Sequence, residues 1–178
     1  MEAVRYEEFY TIEDYDRWEG DWELIEGRPY AMSPASTVVH QRIAFGLMKV
    51  LDSALEEGCK GCFVVGDVDY VVSSDTVLRP DVVVSCEKAD KRLEKAPAVV
   101  FEVVSPSTGR RDETMKMEIY RKEGVRWFGL VYSSSRKIKL FHLTDLGTYV
   151  KAGDYTDEKV TLDWEGCVIQ VDFRSVWV

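Results

Sequence analysis

Apolar residues recur at helical spacing in one long stretch: Val39, Ile43, Leu47, Val50, Leu51, Ala54 and Leu55. Spacings of three and four place them on one face of a helix, which Pro34 and Ser36 introduce and Gly58 stops. Elsewhere the apolar runs are short and rich in valine and aromatic residues, which predicts strands at about 62–72, 81–85, 98–104, 126–132 and 137–143. A further strand is expected around Tyr149, and a final strand or helical turn over 168–178. Thr11-Ile-Glu-Asp14 resembles a capping box and opens a short helix ending at Gly20. Trp22 to Glu26 and Arg28 to Met32 flank Gly27 and read as a hairpin, while 87–96 reads as a charged helix or loop. Pro106 ends the strand before it, and Ser107 can cap a helix over about 109–123 that Gly124 closes. A serine-rich turn at 133–135 joins two of the later strands. The order of elements predicts an α/β (α+β) domain, a mixed sheet flanked by helices, spanning 1–178.

Composition narrows the class. The chain has 178 residues, 46% hydrophobic and 31% charged, the profile of one globular domain. The start, Met-Glu-Ala-Val-Arg-Tyr-Glu-Glu, is not a signal peptide, and no apolar run approaches a membrane span, so a cytoplasmic location is expected. Of four cysteines, Cys59 and Cys62 form a CxxC, whereas Cys86 and Cys167 stand alone. A zinc site needs four ligands, and only His40 and His142 come forward as partners for the CxxC pair. Reduced, partly buried thiols are therefore the expectation, with a CxxC-based zinc protein as the alternative.

The formal net charge is −9. Residues 1–26 hold ten acids against two bases, a net −8, so the remainder is close to neutral. That acidic segment is expected to fold away from any nucleic-acid cleft. Basic groups cluster later, notably at Arg110 and Arg111, which leaves local positive patches open to a polyanion.

One strand carries the chemistry. Residues 99–106 read Val-Val-Phe-Glu-Val-Val-Ser-Pro, with Glu102 inside an otherwise apolar run. Burying an unpaired carboxylate costs several kcal/mol, so a partner must meet it. A second run, Arg79-Pro-Asp-Val-Val-Val-Ser85, begins with Asp81. If the two strands pair, both carboxylates reach one spot, and their repulsion calls for a proton or a divalent cation. Oxygen-only ligands suit magnesium or manganese. The alternative is an acid at a strand end, bonded to a backbone amide or an arginine. Lys116 lies on the next helix, on a face shared with Asp112, Glu113 and Tyr120. It would stabilise charge or orient water at such a site, or else pair with Asp112 in solvent. Asp67 and Asp69 alternate on a strand and fit spare ligands and an exposed face equally well.

These residues carry a resemblance. Arg79-Pro80-Asp81, Phe101-Glu102-Val103-Val104-Ser105-Pro106-Ser107-Thr108, Asp112…Lys116…Tyr120 and Gly124-Val125-Arg126-Trp127 are similar to the Uma-type family of restriction endonucleases, within the PD-(D/E)XK nuclease superfamily. Trp22-Glu23-Leu24-Ile25-Glu26-Gly27, Met32-Ser33-Pro34 and His40 match its N-terminal part. The resemblance covers about residues 10–145 and implies a restriction-endonuclease-like fold. It also implies a hydrolase: a magnesium- or manganese-dependent endonuclease acting on DNA, with Asp81 and Glu102 as metal-binding acids. The lysine of the superfamily pattern, two residues after the glutamate, is replaced by Val104, and Lys116 stands where other branches place the migrated lysine. Glu23 is a further candidate catalytic acid, and His40 a candidate cleft residue.

Other chemistry is poorly supported: the chain has neither a GxSxG elbow nor a phosphate-cradling glycine loop. A nuclease of this size cuts a duplex most simply as a homodimer, because the two strands are related by a local two-fold axis. The rival expectation is a nuclease-fold module that binds or regulates without catalysis, since fold does not fix function.

Overall fold

The computed structural model describes residues 8–32, 36–105, 109 and 112–177. Six strands form a mixed sheet at its centre: β3 (Phe63–Val65), β6 (Val82–Ser85), β7 (Val99–Val104), β8 (Trp127–Tyr132), β9 (Lys137–Leu143) and β10 (Tyr149–Tyr155). Their order across the sheet is β10-β9-β8-β7-β6-β3. β7 and β8 are parallel and joined through a helical segment, whereas every other neighbour pair is antiparallel. A smaller sheet is built from β1 (Trp22–Ile25), β2 (Arg28–Ala31), β4 (Tyr70–Ser73) and β5 (Thr76–Leu78), in the order β2-β1-β5-β4. The C-terminal hairpin pairs β11 (Lys159–Trp164) with β12 (Cys167–Asp172) and runs into a 3₁₀ turn, Phe173–Val176. Among the described residues no helix is long and apolar enough to cross a membrane.

Each face of the central sheet is covered, which explains why β7 is apolar almost without break. On one face lies α2 (Val38–Gly58), whose Ile43, Leu47, Leu51 and Leu55 pack with Val82, Val84, Val99, Phe101 and Val103. The C-terminal hairpin and turn close the same core with Leu162, Trp164, Ile169, Phe173 and Val176. Backbones approach closely there: a Cβ on Gly46 would fall 2.7 Å from the Val176 carbonyl oxygen. On the other face Val83 and Val100 pack with Tyr70, Tyr120, Val125 and Phe128. Strand alternation gives Glu102 the parity of Val100, so it points toward this second face.

The first turn of chain carries a short helix, α1 (Ile12–Tyr15), with the capping box that Thr11 and Asp14 promise. Glu26 and Gly27, both at positive φ, make the turn between β1 and β2. The expected strand over 62–72 is broken over 66–69, and β5 and β11 are strands beyond those expected. From Asp112 on, the expected helix over 109–123 is a π-helical turn, Asp112–Lys116, followed by α3 (Met117–Glu123), which Gly124 ends in the left-handed conformation, while the expected Ser107 cap lies outside the described residues. Five residues are too few for sequence periodicity to separate a π turn from an α turn.

Two further expectations are corrected. In its described part, residues 8–26, the acidic N-terminal segment does not fold away from the site, because Asp16 pairs with Arg92, Asp21 pairs with Arg79, and Glu23 is fully buried. The four cysteines are joined as Cys59–Cys167 and Cys62–Cys86 rather than left as separate thiols. Sequence separation hid this convergence, because Cys86 and Cys167 reach the CxxC loop from distant parts of the chain.

Candidate active site

The site begins with strand register. Val82 lies opposite Phe101 and Val83 opposite Val100, so one further step sets Asp81 opposite Glu102. Asp81 Oδ2 accepts the Val103 amide at 2.7 Å, which ties the loop before β6 to the last residues of β7. His40 Nε2 lies 3.3 Å from Asp81 Oδ1. His40 is held by the first turn of α2, where its own amide donates to the Thr37 hydroxyl. These two side chains keep 14% and 18% of their surface exposed, so this edge of the site meets solvent.

Behind that edge the site is dry. Glu102 is 1% exposed, and its Oε1 accepts Lys116 Nζ at 3.0 Å and the Tyr120 hydroxyl at 2.8 Å. Lys116 ends the π-helical turn and Tyr120 follows one turn later on α3, so both reach the same oxygen. Lys116 Nζ also lies 2.7 Å from Glu23 Oε1 on β1, and that oxygen accepts the Arg79 amide at 2.9 Å. Lys116 is thus a buried ammonium between two buried carboxylates rather than a solvated lysine. A lysine so placed is tolerable only because both acids offset the loss of water.

The segment from β5 to β6 organises the rest. Arg79 supplies its amide to Glu23, and Asp81 follows two residues on. The Arg79 guanidinium is clamped by Asp21 at 2.7 Å, Asp67 at 3.0 Å and Asp69 at 3.8 Å. Burial works against its charge, yet Asp67, Asp21 and Asp69 together hold it above the usual arginine value. Asp67 and Asp69 therefore serve Arg79 rather than joining Asp81. Gly66 lets the chain pass close behind Asp81, because a Cβ there would sit 2.5 Å from the Asp81 carbonyl oxygen.

Glu23, Asp81, Glu102, Lys116 and His40 are thus gathered from five elements or loops. Glu113 turns instead to the Tyr132 hydroxyl, and Arg110, Arg111 and the Asp112 side chain lie outside the described residues. Glu23 and Glu102 face the Lys116 ammonium and Asp81 faces His40, so the described groups of the cluster carry a formal −2 when the acids are ionised and His40 is neutral. Sequence reading placed Tyr120 on the correct helix face without assigning its hydroxyl, and gave no role to the Arg79 side chain. The Arg79 clamp joins residues too distant in sequence for any local signal.

A family model named Uma2, described as "Putative restriction endonuclease", matches residues 6–165. The chain belongs to the Uma2 family. The Uma2 match contains Glu23, His40, Asp81, Glu102 and Lys116, and ends before Cys167 and β12. An uncharacterized protein of Synechocystis sp. is 28% identical over 172 residues, covering 90% of this chain and 88% of its own. A crystal structure from Anabaena variabilis, described as "a putative nuclease belonging to DUF820", superposes with a TM-score of 0.70 at 16% identity. It covers 86% of this chain and 89% of that one, a likeness of fold. Membership of Uma2 sets the protein among nuclease-like proteins with a restriction-endonuclease-like fold.

Proposed function

We propose that this Uma2 protein hydrolyses DNA phosphodiester bonds as a metal-dependent endonuclease of the PD-(D/E)XK type, located in the cytoplasm. The observation that carries this reading is the excess of carboxylate over ammonium charge among the described residues at one sheet edge, open to solvent beside Asp81. Three hard oxygen donors with a formal −2 fit a divalent cation such as magnesium or manganese. Asp81 and Glu102 would hold it. When bound, the cation would polarise the scissile phosphate and lower the pKa of an attacking water.

The protein's own groups supply the remainder. Glu23 and Tyr120 fix Lys116 and Glu102 so that the ammonium offers fixed positive charge to a phosphoryl group in its transition state. The Val103 amide holds Asp81 in one orientation, and burial keeps water from loosening the inner half of the site. His40 lines the exposed edge, where it would meet substrate. A homodimer would present two such sites to the two strands of a duplex.

Nicking of supercoiled plasmid tests the reading. The wild type should cut with magnesium or manganese and fail with chelator, and Asp81→Asn and Glu102→Gln should both be inactive while remaining folded. A wild type that binds manganese and DNA without cutting would replace this reading with the non-catalytic one.

A further inference from the structure

Four cysteines from three separate stretches of chain, the CxxC loop supplying two of them, meet at the far end of α2. Cys59 follows the last turn of α2, Cys62 precedes β3, Cys86 follows β6, and Cys167 opens β12. They are joined in the pairs 59–167 and 62–86, yet the sulfurs of Cys59 and Cys62 lie 3.3 Å apart. The sulfurs of Cys59, Cys62 and Cys86 all fall within 4.8 Å of one another. Two independent crosslinks have no reason to touch. Four thiols aimed at one point do have a reason, because a tetrahedral zinc with bonds of about 2.3 Å holds its sulfurs about 3.8 Å apart.

Local structure serves the convergence. Gly61, inside the CxxC loop, sits at φ +101, a conformation that side chains disfavour, with no atom within 4 Å of its Cβ position. The glycine therefore serves the turn that brings Cys59 and Cys62 to one side, and packing does not require it. A Cβ on Gly58 would fall 2.3 Å from the Val168 carbonyl oxygen, so this glycine lets β12 and Cys167 close on the helix end. The Trp164 indole N–H lies 3.4 Å from the Cys86 sulfur. A sulfur that carries thiolate charge makes far better use of such a donor than a neutral disulfide does.

We infer that these four cysteines, when reduced, form a tetrathiolate zinc site that fastens the C-terminal hairpin to α2 and to the β3–β6 edge of the central sheet. The two disulfides are its oxidised, metal-free counterpart. Conversion breaks both S–S bonds with four electrons from a thiol or phosphine reductant, which is oxidised to disulfide or phosphine oxide, and four protons from that thiol or from water, giving four thiols whose protons one Zn²⁺ then displaces. With all four positions filled by protein, such a zinc is structural, not hydrolytic. It is also remote from the candidate active site: Cys59 lies nineteen positions beyond His40 along α2, a rise of about 28 Å. Cys167 lies beyond the Uma2 match, so the site does not rest on the nuclease reading.

The test uses the full chain, purified with a phosphine reductant and without chelator, then assayed for zinc by atomic emission and titrated with cobalt. One zinc per chain is expected, with the d–d and thiolate charge-transfer bands of four-sulfur tetrahedral cobalt. Cys86→Ser and Cys167→Ser should each weaken zinc binding about tenfold or more, whereas Asp81→Asn should leave it unchanged. If a serine variant fails to fold, alkylation of the wild type decides instead: zinc should protect all four thiols, and chelation should expose them. Reduced wild type that takes up neither metal, or serine variants that bind as tightly as wild type, would overturn the site.

Discussion

Lys116 Nζ lies 2.7 Å from Glu23 Oε1, joining the helical segment behind the parallel strand pair to the hairpin of the smaller sheet, and neither side chain reaches solvent. Removing one partner of a buried pair strands the other charge, at a cost of about 3–5 kcal/mol. Lys116→Met should therefore lower unfolding stability by that order in metal-free protein, and adding Glu23→Gln should recover part of it. Chemical denaturation measures both. Cleavage by the folded variant should drop on the order of a hundredfold, the scale for losing a group that stabilises the transition state. Val104 is half-buried and shares the Glu102 side of β7, so Val104→Lys added to Lys116→Met should restore measurable nicking. Full activity in Lys116→Met alone would exclude a role for the ammonium.

Manganese binding should depend on both acids that the β6–β7 register brings together. Calorimetric titration should find binding in wild type and lose it in Asp81→Asn and in Glu102→Gln. Unchanged affinity in both variants removes the cation from this site. Glu102→Gln should also be less stable than wild type, since Glu102 accepts from Lys116 and Tyr120.

Gly66→Ala tests the support behind Asp81. Its Cβ would meet the Asp81 carbonyl oxygen at 2.5 Å and the Met48 sulfur at 3.0 Å. Met48 can turn aside, but the backbone oxygen cannot. Overpacking of this kind costs about 1–3 kcal/mol, and moving Asp81 should weaken manganese binding as well. Thermal melts and the same titration read the two effects, and no change in either would show that the loop has room to relax.

DNA affinity, measured in calcium to block cutting, should fall steeply as salt rises, because phosphate contacts release counterions. Sedimentation should find a dimer under the same conditions. Binding indifferent to salt argues against backbone contact, and a monomer at working concentration argues against paired cutting.

Stability should decline in alkali. Tyr15, Tyr70 and Tyr149 are held above the ordinary phenol value of 10.0, in each case chiefly by burial. The unfolded phenols ionise near pH 10 while the folded ones stay protonated, so their contribution is whole below that pH and is lost as pH rises beyond it. Denaturant midpoints should fall from about pH 10 upward, and less steeply in Tyr149→Phe. Parallel curves for wild type and variant would contradict the assignment.

What the sequence disclosed follows from how local each signal was. Glu102 announced itself because one charge interrupts a continuous apolar run, and Asp81 did so because its strand repeats the theme. The buried contact between Glu23 and Lys116 left no such trace, since it depends on how two sheets lean together. β5 has only three residues and follows a polar turn at 74–75, too little for a periodic signal. β11 is different: its exposed and buried residues alternate along Lys159–Trp164, a period-two pattern that local reading can reach. The cysteines show the opposite limit, because motif spacing reveals the CxxC and says nothing of the two sulfurs that arrive from elsewhere.

The C-terminal hairpin and the turn at Phe173–Val176 supply one wall of the larger core, and they are the last of the described residues to be synthesised. During translation α2 and the Phe101 side of β7 must therefore wait, with their apolar face uncovered, until residue 176 has cleared the ribosome. The second core, built from residues 25–130, has no such delay. The face bearing Glu102 and Tyr120 can consolidate first, leaving the nascent chain with one finished side and one side open to chaperones or to self-association.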